Sequence, residues 1–200
     1  CGMEICMRRR QRGLQFYRKK KGLSMQAVKE VFSWIVLSVL AVFLAFMVIW
    51  AVGLRTNMIG VSMEPGLTNG QGILVNRLKY RFFSPQTGDV VVFLPNGNQN
   101  AHYYVKRVVA VPGQTVLIQD GILYIDGKAQ ENEEMDLIAS AGIAENEIKL
   151  GKDEYFVLGD NCNNSEDSRS ANVGPVLRST IVGEAWFHFG NGTDGWGLIH

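Results

Sequence analysis

The 200-residue chain is 46% hydrophobic and 20% charged, a length and composition that suit one domain of ordinary size plus an appendage. Its formal net charge of +1 hides two regions of opposite sign: residues 1–30 hold nine Lys or Arg against two Glu, and residues 55–200 hold eleven basic against seventeen acidic residues. Because a nucleic-acid-binding protein carries its basic patch on a folded surface, this distribution argues against nucleic acid as a partner.

An uncharged apolar segment separates the two regions. Residues 31–54 would form a helix about 36 Å long at about 1.5 Å per residue, enough to cross a hydrocarbon core of about 30 Å. Trp34 and Trp50 fall near its ends, where aromatic side chains favour the membrane interface. The segment therefore predicts one transmembrane helix at 31–54. The Lys and Arg before it predict a cytoplasmic segment at 1–30 and an extracytoplasmic domain at 55–200.

Two other interpretations of this segment fit it less well. The apolar region of a cleaved signal peptide has about 7–15 residues and ends in a small-x-small site, whereas this segment is longer and has no such site. A buried core helix would not explain the charge difference between the two sides. We therefore expect a retained, single-pass anchor.

The region after the anchor has the pattern of a mostly β domain. Short apolar runs alternate with Gly, Pro, Asn and Asp clusters, and no long segment of helical periodicity follows residue 60. The sequence Gln119-Asp120-Gly121-Ile122 predicts a tight hairpin. A domain of about 140 residues is large enough to bury its own core. The predicted strands are Gly72–Asn76, Asp89–Leu94, Tyr103–Val111, Thr115–Ile118, Ile122–Ile125, Glu154–Leu158 and Ile181–Phe189.

Two parts of the domain depart from this pattern. Residues 131–150 are rich first in Glu and then in Ala and Ile, which predicts a variable surface insertion at about 128–150 or a short helical excursion, with a dedicated partner site as the alternative. The pair Phe82-Phe83 and a later aromatic group would suit contact with lipid, but we expect them to pack in the core. The later group is Trp186, Phe187, Phe189 and Trp196.

Ser62 and Lys106 are the candidate reactive residues. A serine hydroxyl is a poor nucleophile unless a base takes its proton, and a lysine can do so only when neutral. The ordinary lysine pKa of about 10.4 must therefore fall, and burial among apolar side chains has this effect. Lys106 interrupts the apolar run 103–111, where neighbouring side chains point to opposite faces, so Lys106 can face a site while Arg107 points away. A half-exposed strand with two surface cations remains the alternative.

Ser62 lies in the sequence Gly60-Val61-Ser62-Met63-Glu64-Pro65, close behind the apolar segment. Gly60 permits unusual backbone angles and the close approach of a substrate. The backbone N–H of Ser62 would point at a developing oxyanion. A plain linker beside the membrane is the interpretation that this local sequence leaves open.

A polar loop, 159–169, follows the apolar run 155–158. Such a loop is usually solvated, but it also suits the support of a buried base through hydrogen bonds and an Asp167–Arg169 ion pair. Cys162 is the one cysteine after the apolar segment, so no disulfide framework is expected there, and no His lies near it to form a nucleophilic pair. The three His lack the spacing of a zinc site.

With these elements in this order, the chain resembles the bacterial type I signal peptidases, in the compact single-anchor form of Gram-positive-like members. The resemblance runs from about Val31 to Gly192 and rests on several ordered motifs. They are Gly-Val-Ser-Met-x-Pro after the anchor, Gly88-Asp89-Val90-Val91, Tyr104-Val105-Lys106-Arg107-Val108-Val109 with Pro112-Gly113, Gly159-Asp160-Asn161 with Ser165-x-Asp167-Ser168-Arg169, and Gly174-Pro175-Val176 before Gly183.

The resemblance implies a membrane-bound serine endopeptidase that removes signal peptides from exported preproteins. It implies an antiparallel, barrel-like β peptidase domain after one transmembrane helix. Ser62 corresponds to the nucleophile and Lys106 to the general base; the supporting residues are Ser165, which helps to orient the lysine, Asp167, Arg169 and Gly60. Gly60 stands where some members have a serine that adds to the oxyanion hole, so only backbone contributes from that position here.

The resemblance also indicates how substrate is bound. An extended preprotein segment with small residues at positions −1 and −3 would pair with the chain near 57–61 and 102–104. The predicted substrate-binding residues are Val61, Met63, His102, Tyr103 and Tyr104. We expect no metal or organic cofactor, and we expect signal peptides and the lipid bilayer as partners of a monomer.

Two alternatives belong to other functional classes. Self-cleaving repressors share a Ser/Lys pair and a similar β core, but they carry a soluble DNA-binding module where this chain has residues 31–54. A membrane-anchored protein that binds exported peptides without cutting them would have the same architecture. The presence of Ser62, Lys106 and Ser165 favours a peptidase over this binding protein.

Overall fold

The structure is a computed structural model that describes residues 24–98, 102–130, 137–190 and 195–199. Most of the predicted basic segment, residues 1–23, lies outside the described residues, as does part of the predicted insertion, residues 131–136.

The apolar segment forms one helix, α1, over Met25–Val52. It begins earlier than the predicted 31–54 because the Ser24 hydroxyl accepts the Ala27 N–H at 3.2 Å and caps the first turn. It ends before Gly53, and Leu54 already belongs to a strand. Among the described residues, α1 alone is long and apolar enough to cross a bilayer, and its apolar stretch is exposed.

Two antiparallel sheets form most of the regular structure after α1 in the described chain, which confirms the predicted mostly β fold after one apolar helix. The larger sheet has the strand order β1-β2-β11-β3-β4-β9-β10, with β12 paired to β11, and the smaller sheet has the order β7-β6-β5-β8. A short helix, α2, spans Lys79–Phe82. The strands are β1 Leu54–Asn57, β2 Gly72–Asn76, β3 Val90–Phe93, β4 Tyr104–Ala110, β5 Thr115–Gln119, β6 Ile122–Ile125, β7 Lys128–Ala129, β8 Ile148–Lys149, β9 Glu154–Leu158, β10 Val176–Leu177, β11 Ile181–His188 and β12 Gly197–Leu198.

The predicted hairpin between β5 and β6 is present. Gln119 pairs with Ile122, and the two residues between them, Asp120 and Gly121, have φ values of +53° and +77°. Two consecutive positive φ values are typical of the two-residue turn whose twist matches that of the flanking strands.

The core consists of three clusters of buried side chains, and one of them joins the two sheets. In that cluster Phe156 of β9, which is 0% exposed, packs with side chains of the smaller sheet such as Val116 and Ile125. Ile138 and Leu150 of the predicted insertion are buried in the same cluster. The insertion therefore contributes to the core instead of lying wholly on the surface, and its helical part is a 3-10 turn at Gly142–Glu145.

The expected core packing of the aromatic residues is wrong for three of them. Phe82, Phe83 and Trp196 are 77%, 67% and 74% exposed. Phe82 and Phe83 lie at the end of a helix of only four residues, which is too short to turn both rings inward. Trp186, Phe187 and Phe189 are half-buried, and the rings of Phe187 and Phe189 pack edge to face.

Replacing Phe156 by Ala removes the side chain that joins the sheets. We expect Phe156→Ala to lower the free energy of unfolding by about 3–5 kcal/mol, because it leaves a cavity in a close-packed core. Thermal or denaturant unfolding of the full chain in detergent, followed by circular dichroism, measures this loss. The matched control is Phe82→Ala, whose exposed ring predicts a change within about 0.5 kcal/mol; equal losses in the two variants would contradict the assignment of Phe156 to the core.

Candidate active site

Ser62 lies on the long loop between β1 and β2, and the core holds this loop in place. Met58, Met63 and Leu67 are at most 2% exposed and pack against β2 and β3 in one cluster. The Gly60 N–H donates to Asn69 Oδ1 at 2.9 Å, and this hydrogen bond joins the first part of the loop to the last. Gly60 has a φ of +87°, a conformation that favours glycine.

Lys106 extends from the middle of β4 toward this loop. Its Nζ donates a hydrogen bond to Ser62 Oγ at 2.6 Å, and the residue is only 4% exposed. Burial lowers the pKa of Lys106 to about 8, although the charges of Asp167 and Glu166 act in the opposite direction. A substantial fraction of this amine is therefore neutral at mildly alkaline pH.

Arg107, the next residue along β4, points to the opposite side of the strand as the sequence predicts. Its guanidinium forms a bidentate ion pair with the Asp160 carboxylate: Nε donates to Oδ1 and Nη2 donates to Oδ2, both at 2.8 Å. A paired guanidinium and carboxylate of this geometry is among the stronger polar contacts in proteins. The polar loop is thereby tied to the strand that carries Lys106.

The polar loop 159–169 packs directly against the Ser62 backbone. The Asn161 N–H donates to the Ser62 carbonyl at 3.1 Å. Gly159 also faces Ser62: a Cβ at this position would clash with the Ser62 carbonyl oxygen and with Ser165 Oγ. The loop can approach the serine this closely only because residue 159 has no side chain.

Within the loop, Asp167 and Arg169 form a buried ion pair, with Arg169 Nε 2.8 Å from Asp167 Oδ1. Arg169 also donates to the carbonyl of Cys162 within the loop and to that of Ser140 outside it, so the pair ties the loop to one further segment. The Ser165 hydroxyl donates to Asp167 Oδ2 at 2.6 Å. Within the described chain no hydrogen bond joins Ser165 to Lys106, so here the serine contacts the ion pair and not the amine that the resemblance assigned to it.

A groove of about 340 Å³ opens above Ser62 and Lys106. It brings together four of the five predicted substrate-binding residues, and Met63 is the exception. Met63 is 0% exposed in the core, because the side chain after Ser62 points inward to anchor the loop. The groove is lined by Met58, Ile59, Gly60, Val61, Ser62, His102, Tyr103, Tyr104, Val105, Lys106, Asn164 and Glu166.

Cys162 and His188, two other candidate reactive groups, do not line the groove. Cys162 is 4% exposed and donates through Sγ to the Gly159 carbonyl at 3.2 Å, and burial raises the pKa of its thiol. His188 lies next to Gln71, with Nδ1 2.7 Å from the amide nitrogen, and does not line the groove. The described part of the chain contains no cluster of three His, Cys, Asp or Glu arranged to hold a metal ion.

Sequence reasoning missed Gly159, the Arg107–Asp160 pair and Glu166 as parts of the site. Gly159 and Asp160 stand in the quoted Gly-Asp-Asn motif, but nothing in the sequence shows that the glycine touches Ser62. Glu166 occupies a position that the resemblance leaves variable, so only its place in the folded groove reveals it.

Known proteins are similar to this chain over most of its described length. Residues 31–189 match the family described as signal peptidase, peptidase S26. A probable signal peptidase I-1 of Synechocystis sp. is 35% identical over 134 residues, which cover 64% of this chain and 66% of that protein, so the chain spans about two thirds of this relative. Signal peptidase IB of Staphylococcus aureus strain COL is 32% identical over 183 residues, 80% of this chain and 90% of that protein.

The crystal structure of a signal peptidase I from Enterococcus faecalis V583 is also similar. It is 26% identical, and the alignment covers 51% of this chain and 97% of that one with a TM-score of 0.42.

Adding one methyl group at residue 159 tests the close contact between the polar loop and Ser62. We expect Gly159→Ala to lower the free energy of unfolding by about 1–3 kcal/mol or more, because backbone must move to admit the Cβ. Thermal unfolding in detergent measures the loss. Gly195→Ala is the matched control, since a Cβ there would have no atom within 4 Å. A Gly159→Ala protein as stable as this control would show that the contact is not as close as described.

Proposed function

Because the chain belongs to the signal peptidase family, peptidase S26, we propose that it cleaves signal peptides from exported preproteins with Ser62 as nucleophile and neutral Lys106 as general base. The observation that carries this proposal is the 2.6 Å separation of Lys106 Nζ and Ser62 Oγ in a buried site. At this distance a neutral amine can accept the hydroxyl proton directly.

The reaction begins when Lys106 Nζ takes the proton of Ser62 as Oγ attacks the scissile carbonyl carbon. The negative charge that develops on the carbonyl oxygen is stabilised by the N–H of Ser62, which donates to no other group within the described ranges. The C–N bond then breaks, the Lys106 ammonium returns the proton to the leaving amine, and an ester with Ser62 remains. A water molecule deprotonated by Lys106 hydrolyses this ester and releases the serine.

Ser165, Asp167 and Arg169 act in this mechanism through the position of the loop. Their hydrogen bonds fix the loop whose Asn161 N–H holds the Ser62 carbonyl. Since the Ser62 hydroxyl must stay within hydrogen-bond distance of Lys106, a loop that holds the serine backbone preserves the productive geometry.

Substrate binds as an added strand in this proposal. Strand β1 is at one end of the larger sheet and pairs only with β2 among the described strands, so its other edge is available to a peptide. Residues 102–103 precede β4 on the other side of the groove. An extended peptide between these two segments would present its scissile carbonyl to Ser62, and its side chains would alternate between two faces.

The chain acts at a bilayer in this proposal, with α1 as its membrane anchor and residues 55–200 on the extracytoplasmic side. A helix that is apolar on every side and exposed along its length is typical of a membrane span. The basic residues at 1–30 favour a cytoplasmic N-terminus. The anchor would hold the site close to the emerging signal peptide and raise the effective concentration of both, and a single copy of the chain contains every proposed group.

Removal of either reactive group tests the proposed chemistry. We expect Ser62→Ala, which removes the attacking oxygen, and Lys106→Met, which removes the base, each to lower kcat for a preprotein with an Ala-x-Ala site by at least about 10²–10⁴-fold. Cleavage by the full chain in detergent is followed by gel electrophoresis and mass spectrometry.

Lys149→Met on β8 is the matched control, because this lysine is exposed and its loss should leave the rate unchanged. Activity that survives Lys106→Met would contradict the proposed base. A folded parent that binds the preprotein without cutting it would support the binding protein instead.

The pH dependence of cleavage follows from the lowered pKa of Lys106. The base is active only when deprotonated, so kcat/KM should fall about tenfold per pH unit below about 8 and level off above it. Steady-state rates in the full chain from mildly acidic to alkaline pH measure this profile. A midpoint near 6.5, the ordinary value for histidine, would point to His102 instead; a His102→Ala variant, which should keep the midpoint near 8, separates the two.

A further inference from the structure

Glu166 brings a negative charge to the groove that the proposed mechanism does not use. It lines the groove together with Lys106 and Tyr104, and it is the one carboxylate among the lining residues. Lys106 is buried at the base of the groove, whereas Glu166 is exposed. A peptide in the groove therefore passes an exposed carboxylate near the reactive serine.

The Glu166 carboxylate is held in place by a neighbour of Lys106. The Tyr104 hydroxyl, two residues before Lys106 on the same strand, donates to Glu166 Oε2 at 3.0 Å. Burial and this hydrogen bond raise the pKa of Tyr104, so the phenol keeps its proton and remains a donor. Glu166 Oε1 accepts no hydrogen bond from the residues that the structure describes, which leaves it able to accept one from a ligand.

No Lys or Arg among the described residues forms an ion pair with this carboxylate. The carboxylates of Asp89, Asp160, Asp167 and Glu184 each form an ion pair with a Lys or Arg within the described ranges, and Glu166 takes part in none of these pairs. The nearest base in the groove, Lys106, is neutral when it acts. A positive group on a bound peptide would thus meet a carboxylate that forms no ion pair within the described part of the chain.

We propose that Glu166 is a specificity-determining residue that favours substrates with a Lys or Arg side chain at position −2 or −4, on the N-terminal side of the scissile bond, and disfavours Asp or Glu there. This inference rests on the proposed function. The positions follow from the extended peptide: its side chains alternate between two faces, and the small residues expected at −1 and −3 occupy one of them. Side chains at −2 and −4 share the other face and are free to be charged.

The expected preference is modest because the contact is exposed. Charge pairs at protein surfaces change kcat/KM by about two- to fivefold at low salt. The preference should also shrink as salt rises, since the Debye length falls from about 30 Å at 0.01 M to about 3 Å at 1 M. A preference that arises from shape alone would not depend on salt.

The test uses the full chain in detergent and matched Ala-x-Ala peptides that carry Lys, Gln or Glu at −2, with a second set varied at −4. The readout is the ratio of kcat/KM for the Lys and Glu peptides within one protein. Because the charge of Glu166 also raises the pKa of Lys106, removing it alters the rate for every peptide, and this common effect cancels in the ratio.

In at least one peptide set, the ratio should be well above one in the parent, close to one in Glu166→Gln and below one in Glu166→Lys. Glu145→Gln, a change of another exposed carboxylate outside the groove, is the matched control and should keep the ratio of the parent. A parent that cleaves all peptides with a ratio of one, or a ratio unchanged in Glu166→Gln and Glu166→Lys, would overturn this inference alone. A parent that cleaves none of the peptides or the preprotein would overturn the proposed function and this inference with it.

Discussion

An amine that is 4% exposed and hydrogen-bonded to a single hydroxyl, as Lys106 is, has lost most of the water that stabilises its positive charge. The fall of its pKa from 10.5 to about 8 corresponds to about 3 kcal/mol at about 1.36 kcal/mol per pKa unit. Folding must supply this free energy from packing elsewhere, so a buried lysine requires a rigid apolar surrounding. Strand β3 provides part of it, with all four residues buried and Val91 directly opposite Lys106.

The polar loop carries charged residues close to Lys106, which must be neutral to act as the base. Asp160 pairs with Arg107, and Asp167 pairs with Arg169, so two of the acidic residues near the site are each neutralised by an arginine. An unpaired buried carboxylate would stabilise the lysine ammonium and raise its pKa, which would weaken the base. The same pairs fix the loop against Ser62. One set of contacts thus controls both the geometry and the electrostatics of the site.

The β fold was predictable because it depends on local patterns, whereas the candidate site residues were predicted from the ordered motifs that carry the resemblance. The strand at Ile122–Ile125 and the turn at Asp120-Gly121 follow from alternation and from turn chemistry, which act over a few residues. Strand β1 was not predicted, because Leu54 continues an apolar run and only the pairing with β2 makes it a strand. Met63 was assigned to the groove for its nearness to Ser62 in sequence, and packing turned it into the core. Phe82 and Phe83 were expected inside, and a four-residue helix leaves them outside.

By itself the sequence determined the apolar helix, seven of the strands in the described chain, and the reactive candidates Ser62 and Lys106 with the loop that follows them. These depend on residue type and spacing, which the chain displays directly. Only the tertiary structure decided that Lys106 lies 2.6 Å from a serine 44 positions away, that the Ser165 hydroxyl bonds to Asp167, and that Glu166 lines the groove. Each of these depends on which segments meet in space and on how much water remains between them. Burial and pairing of distant residues set both quantities, and local sequence carries no direct record of either.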